Sequence, residues 1–209
     1  MRSLVEPGSQ GEAAGRLLLA GLVVVMLPAL PFGNFLIYPF AILTTWFHEM
    51  GHGLTALALG QEFDRLLIYP SGSGLAESRV APDTSRFILA AIAAGGPLAP
   101  SMVGALLILA SAHRRLWRPV LWLAAAAIFA SVIIWVRSPV GYFVLPVVAA
   151  MLALTAWRAP PGLARFTLQF LGVLGAMSML RDFNYLFTAN TVIEGRAILS
   201  DTGQIAAAL

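Results

Sequence analysis

Residues 35–59 have the sequence FLIYPFAILTTWFHEMGHGLTALAL. This run is long enough to cross a bilayer as a helix, since about 20 apolar residues span the hydrocarbon core. Three ionisable residues, His48, Glu49 and His52, nevertheless lie within it. A charged side chain at the centre of a span costs roughly 2.5–3.5 kcal/mol even on the lenient insertion scale. We therefore expect these three residues to have a function.

The composition of the whole chain is that of a membrane protein. Of its 209 residues, 59% are hydrophobic and 11% are charged, whereas a soluble domain has about 25% charged residues. The mean hydropathy is +0.83, which excludes a soluble globular domain and a disordered chain. The net charge of +3 is small and scattered, so no nucleic-acid partner is expected. The chain has no Cys, which excludes disulfides, Cys-zinc sites and thiol nucleophiles.

We predict an all-α membrane protein, a bundle of about six transmembrane helices with a short β-hairpin-like segment after the motif helix. Proline, glycine and arginine clusters separate the apolar runs. The predicted spans are 17–33, 35–59, 87–112, 116–136, 140–157 and 165–189. The predicted organisation is a polar N-terminal tail (1–16), one transmembrane domain (17–190) and a C-terminal tail (191–209).

The polar segment 61–86 differs from the other connections. Its residues 66–69 are β-prone, residues 70–74 are rich in Pro, Ser and Gly, and residues 75–80 can return as a second strand. We predict a hairpin at the membrane face, and an irregular loop is the alternative.

Arginine counts in the connections indicate an orientation. With six spans, the N-terminal tail and the 60–86 loop share one side with seven Arg residues, and the other side has five. Arg16 belongs to the first group and Arg165 to the second. This count favours a cytoplasmic N-terminus.

The pattern His48-Glu49-Met50-Gly51-His52 is H-E-x-x-H. On a helix, His48 and His52 lie on one face, one turn apart, so both imidazoles can bind one Zn²⁺. Glu49 can take a proton from a water at the metal without being a ligand itself. A hydrogen-bonded cluster without metal is the alternative.

A catalytic zinc site needs a third protein ligand. Asp182 is the predicted one, because its depth in the last span matches that of His48 to about one helical turn. An ion pair with Arg181 is its alternative role. Asp201 lies near the C-terminus and is the next candidate, and we expect His113 to be an interfacial loop residue. Carboxylates are ordinary in the polar loop, which contains Glu62, Asp64, Glu77 and Asp83.

Gly95-Gly96-Pro97 interrupts the third apolar run. Such a break permits close helix packing, and a simple kink is the alternative.

Together, these residues resemble the motifs of a known family. The chain resembles the site-2 protease class of intramembrane zinc metalloproteases, in its compact bacterial branch without a PDZ domain. The resemblance rests on residues 47–53, the hairpin-like segment after them, Gly95-Gly96-Pro97-Leu98 and an Asp in a late span.

The resemblance implies Zn²⁺ held by His48, His52 and Asp182, with Glu49 as the general base. It implies cleavage of transmembrane protein or peptide substrates in the plane of a lipid membrane, which for this branch is the bacterial inner membrane. The hairpin would pair with an unwound substrate strand. The Asp of the family usually lies in Leu-Asp-Gly, whereas here the sequence is Arg181-Asp182-Phe183.

A non-hydrolytic metal-binding membrane protein remains the rival hypothesis. It would be a transporter, a channel or an inactive protease homologue that acts as a binding partner. The paired broken helices of many transporters are not evident, and the intact Glu49 argues against an inactive enzyme.

Overall fold

The computed structural model describes residues 10–181, 188–193 and 195–209. The described part is mostly helical, with two small antiparallel sheets. The helices are α1 (Gln10–Met26), α2 (Gly33–Ala58), α3 (Arg86–Ser111), α4 (Trp117–Ile134), α5 (Pro139–Arg158), α6 (Pro161–Arg181) and α7 (Asp201–Ala208). The strands are β1 (Glu62–Ile68), β2 (Gly74–Arg79), β3 (Asn190–Ile193) and β4 (Arg196–Leu199).

Each of the six predicted spans contains a long helix, from α1 to α6. Within the described residues, four stretches are long and apolar enough to cross a membrane: Gly11–Ala29, Arg86–Ser111, Arg114–Ile134 and Pro139–Arg158. The predicted count of six spans is therefore confirmed only in part. The second and sixth predicted spans, which correspond to α2 and α6, are not among the four. In α2, His48, Glu49 and His52 lower the hydropathy.

The helices pack around α3. Helix α3 contacts α2, α6 and α7, while α4 packs against α5 and α1 against α6. Small residues permit these approaches, since a Cβ on Gly104 would lie 2.5 Å from the carbonyl oxygen of Gly172. Large apolar side chains such as Phe143 and Leu123 are 79% and 68% exposed. A surface of this kind suits lipid rather than water.

The predicted hairpin is confirmed. Strands β1 and β2 pair antiparallel, with Ile68 opposite Gly74 and Leu66 opposite Ala76. On its other edge, β1 bonds to the segment after α4: Leu66 N–H donates to the Trp135 carbonyl at 2.8 Å, and Arg137 N–H donates to the Leu66 carbonyl at 2.9 Å. The edge of β2 that faces away from β1 therefore has no partner strand within the described residues.

The stretch predicted as a C-terminal tail has regular structure. Strands β3 and β4 form a second antiparallel hairpin, and α7 follows it directly and packs on α3. The sequence did not lead us to expect this hairpin, because its strands are short and lack an apolar alternating pattern.

The predicted placement of Arg16 and Arg165 on opposite sides of the membrane disagrees with the structure. Glu12 lies 2.7 Å from Arg16 Nη2 and 3.7 Å from Arg165 Nη1, although the six-span topology separates these two arginines. Arg16 also donates to the Gly162 carbonyl at 3.1 Å. Helix α1, which starts within the predicted tail, thus begins beside the start of α6. The count becomes six against six if Arg16 changes side and eight against four if Arg165 does, so the orientation of the N-terminus stays a prediction.

Candidate metal centre

Helix α2 brings the two motif histidines together. His48 Nε2 and His52 Nε2 are 3.2 Å apart, and the two rings meet edge to face with centroids 5.0 Å apart. This is the arrangement expected from the i, i+4 spacing on one face of a helix. Their side chains are only 20% and 13% exposed, so the pair lies inside the protein rather than at its surface.

Asp201, the first residue of α7, completes the cluster. Its Oδ2 lies 3.0 Å from His48 Nε2 and its Oδ1 lies 3.2 Å from His52 Nε2. His48, His52 and Asp201 form a group that could hold a metal ion. Burial alone would raise the pKa of the Asp201 carboxyl, but the two imidazoles hold that pKa well below its usual range. The carboxylate is therefore ionised at neutral pH, as a metal ligand must be.

The chain folds locally so that Asp201 faces the histidines. Ser200 is the N-cap of α7, and its hydroxyl accepts a hydrogen bond from Gly203 N–H at 3.0 Å. Ser200 N–H donates to the Ala189 carbonyl at 3.1 Å, and Ser200 Oγ donates to the Thr188 carbonyl. These bonds fasten the start of α7 to the start of the second hairpin.

The third ligand predicted from the sequence, Asp182, lies outside the described residues, and its role stays a prediction. Among the described carboxylates, Asp201 is the one that meets both imidazoles. The loop carboxylates behave as expected: Glu77 pairs with Arg65 at 2.6 Å, and Glu62 with Arg79 at 2.8 Å. His113 is exposed at the end of α3, in agreement with its predicted role outside the site.

Helix α3 orients His52. The Ile92 carbonyl lies 2.8 Å from His52 Nδ1, and because a carbonyl only accepts, Nδ1 must carry the proton of the neutral ring. His52 Nε2 is then free of a proton and available to a metal, an arrangement common around metal-bound histidines.

The Gly95-Gly96-Pro97 sequence does not break α3, which is continuous through it. Its glycines allow α3 to approach α2 closely instead. A Cβ on Gly96 would lie 2.1 Å from His52 Nε2, and a Cβ on Gly51 would lie 2.3 Å from the Gly95 carbonyl oxygen. Any larger residue at position 96 would therefore occupy the space of the ligating imidazole.

Glu49 is buried beside the cluster, with 7% exposure. Strand β2 passes directly over it, since a Cβ on Gly74 would lie 2.5 Å from Glu49 Cγ. Glu49 and the three cluster residues line one cavity of about 410 Å³. Its other walls are β2, the first turns of α3, and the segment formed by β4 and α7. The geometry thus combines a ligand set, a separate carboxylate and an accessible cleft.

A comparison with known families decides the relationship. A family model described as Peptidase M50B-like matches residues 17–209. The chain belongs to the Peptidase M50B-like family. The family is a site-2 protease family, which confirms the resemblance found in the sequence, and membership implies a membrane metallopeptidase. No curated protein and no solved structure matches the chain.

From the sequence, Asp201 was only the second candidate for the third metal ligand. The signal available was the Ser200-Asp201 pair, which is typical of a helix N-terminus and carries no information about a metal. The match of the M50B-like family extends to residue 209 and therefore includes Asp201.

Proposed function

We propose that this M50B-like protein is a zinc endopeptidase that hydrolyses peptide bonds of membrane-embedded substrates. His48, His52 and Asp201 would hold the zinc, and Glu49 would be the general base. The observation that carries the proposal is the convergence of two imidazole nitrogens and one buried carboxylate beside a fourth ionisable residue in a cleft.

The donor set fits zinc. In a tetrahedral site with bonds near 2.0 Å, donor atoms lie about 3.3 Å apart. The two imidazole nitrogens are 3.2 Å apart, each has an Asp201 oxygen at 3.0 or 3.2 Å, and one donor atom from each residue lies within 4.8 Å of the others. Asp201 Oδ2 is buried and forms no hydrogen bond, although His48 Nε2 is close to it. His48 Nε2 and Asp201 Oδ2 are close enough for a hydrogen bond but are not oriented for one. This is expected for two ligands that both point at an ion. Two His and one carboxylate with an open side are typical of catalytic zinc.

Glu49 has the position of a proton acceptor rather than a ligand. When bound, zinc supplies Lewis acidity, which polarises the scissile carbonyl and makes water a stronger nucleophile. Glu49 would accept the proton of that water and later deliver it to the leaving amine. Gly74 permits this role, because a side chain there would displace the carboxylate.

The outer edge of β2 supports the expected mode of substrate binding. Leu66 uses its N–H and C=O on the side away from β2, so its partner Ala76 directs its own backbone groups away from β1. The Ala76 N–H hydrogen-bonds Glu49, so an unwound stretch of substrate could pair with the Ala76 carbonyl by strand addition. Integral membrane location follows from the family and the apolar helices, and location in a bacterial inner membrane is a proposal from the resemblance.

Hydrolysis is favoured over metal transport by Glu49. Hydrolysis needs a proton acceptor beside the ligand set, and Glu49 has that position. The experiment is metal analysis of the purified protein together with cleavage of membrane-span peptides in liposomes. We expect about one zinc per chain, cleavage by the wild type, and a loss of at least about 100-fold in rate with Glu49→Gln at unchanged zinc content.

Glu62→Gln is the matched control, because Glu62 is exposed on the hairpin and pairs with Arg79. It should cleave like the wild type. Equal cleavage by Glu49→Gln and the wild type would reject the proposed general base, and a zinc-free wild type would reject the metal site.

A further inference from the structure

Ser78 presents a buried hydroxyl that has no partner within the described protein. Its Oγ is buried and forms no hydrogen bond, and leaving such a group unsatisfied is costly. The other hydroxyls near the hairpin are satisfied: Ser71 and Ser73 bond to each other at 2.8 Å, and Thr45 donates to the Gly72 carbonyl at 2.6 Å. Ser78 is therefore an exception that needs an explanation.

The strand directs Ser78 toward the site. Side chains alternate along a strand, so Ser78 shares a face with Gly74 and Ala76, and Gly74 lies against Glu49. Ser78 pairs across the hairpin with Phe63, whose ring packs on Gly53 of the motif helix. Ser78 thus lies on the face of the hairpin that covers α2, about 7 Å along the strand from Ala76.

The surroundings of Ser78 offer no natural partner. Ser78 lines the same cleft as the metal cluster, and Val80, Leu89 and Ile92 line it too. The side-chain amide of Gln204, another lining residue, donates to the Leu199 carbonyl. Val80 and Leu89 have no polar side-chain atoms, and the Ile92 carbonyl already accepts from His52. A hydroxyl placed in an apolar wall of a cleft is suited to a polar group that arrives with the ligand.

We propose that the Ser78 hydroxyl is a substrate-binding group that hydrogen-bonds the main chain of the substrate, about two residues from the bond that faces Glu49. The proposal rests on the proposed peptidase function and extends it to the class of ligand. A peptide unwound inside a membrane exposes backbone N–H and C=O groups that water cannot satisfy. Ser78 would satisfy one of them. Recognition at this position therefore depends on an extended backbone and not on the substrate side chain.

The test measures binding without cleavage, in the Glu49→Gln background. The probe is a fluorescein-labelled peptide of about 24 residues, made of Leu and Ala with a central Gly-Gly and Lys at both ends, in detergent micelles. We expect Ser78→Ala to weaken its Kd about fivefold to tenfold, the worth of one neutral hydrogen bond. Ser78→Thr should restore most of the affinity, and Thr155→Val, on α5 where the hydroxyl bonds its own helix, should change nothing. Zinc content and Tm should stay the same in all variants.

A set of probes with a single backbone ester locates the bond. One ester position should weaken binding to the Ser78 protein and have no effect on the Ser78→Ala protein. Equal Kd values for Ser78 and Ser78→Ala, an ester effect that is the same in both, or a loss that accompanies loss of zinc would each overturn the proposal. A protein that binds the probe through Ser78 and never cleaves any peptide would refute the peptidase function and leave the binding site standing.

Discussion

Both hairpins contribute residues to the lining of one cleft, and they are held in different ways. The first, β1–β2, is fastened to the helices by hydrogen bonds along its length. Thr45 and Tyr38 of α2 donate to the Gly72 and Pro70 carbonyls at its tip, and Ile68 N–H donates to Ser138 Oγ at 2.9 Å. The second, β3–β4, is bonded at its base to Ser200 and continues into α7, which packs on α3.

The difference concerns what holds each wall in place. Protein contacts alone position the first hairpin, whereas the described polar link between α7 and the motif helix is Asp201 with His48 and His52. A metal bound there would join α7 to α2. Metal binding should therefore hold the C-terminal wall more firmly and leave the other unchanged.

The largest expected effect is that of removing the carboxylate. Asp201→Asn should weaken zinc binding by more than about 100-fold, since even residues that only support a ligand contribute 10- to 100-fold. The measurement is a competition titration of the purified protein with a zinc chelator of known affinity.

Asp182→Asn is the comparison variant, because the sequence resemblance assigns the ligand to that residue. If Asp182→Asn loses zinc and Asp201→Asn retains it, the ligand set drawn from the cluster is wrong, and with it the metal link to the second hairpin.

A smaller effect is expected from adding and removing metal. Zinc at about 100 times its Kd should stabilise the metal-binding arrangement of α2 and α7 by about 2.7 kcal/mol. Amide hydrogen exchange in β4 and α7 should slow by up to about 100-fold on zinc addition, while exchange in β1 and β2 should not change. Mass spectrometry of the zinc-loaded and chelated protein measures both. Equal protection of the two hairpins by zinc would contradict the comparison, and the Asp201→Asn protein should show no zinc effect.

The smallest expected effect belongs to the tip of the first hairpin. Thr45→Val removes the hydroxyl that donates to the Gly72 carbonyl at 2.6 Å, a bond worth about 1 kcal/mol. We expect peptide cleavage to fall about fivefold with zinc content unchanged, since the tip positions Gly74 over Glu49. Thr155→Val on α5 is the control, because Thr155 donates to a carbonyl of its own helix far from the hairpin. A Thr45→Val protein with wild-type kinetics would show that the strand is positioned without this bond.

The approach of Asp201 to the two histidines could not be inferred from the sequence, whereas the role of Asp182, outside the described residues, stays a prediction. Depth along an ideal span favoured Asp182, and that argument assumed that all ligands come from spanning helices. In the structure, Asp201 comes from a short helix after the last long one, brought back by a hairpin whose strands have four residues each. A similar assumption, strict alternation of six spans, placed Arg16 and Arg165 on opposite sides, which disagrees with the structure.

The sequence by itself determined the features that depend on neighbours along the chain. The i, i+4 spacing placed His48 and His52 on one face of a helix, proline and arginine clusters marked the helix ends, and a β-prone run before a glycine-rich turn predicted the first hairpin. Only the tertiary structure decided the features that depend on distant segments. Asp201 joins His48 and His52, Gly96 makes room for the His52 ring, and β2 rather than β1 offers its edge to the cleft. Helical and turn geometry follows from local sterics, whereas these contacts arise from the packing of whole elements, which no short stretch of sequence encodes.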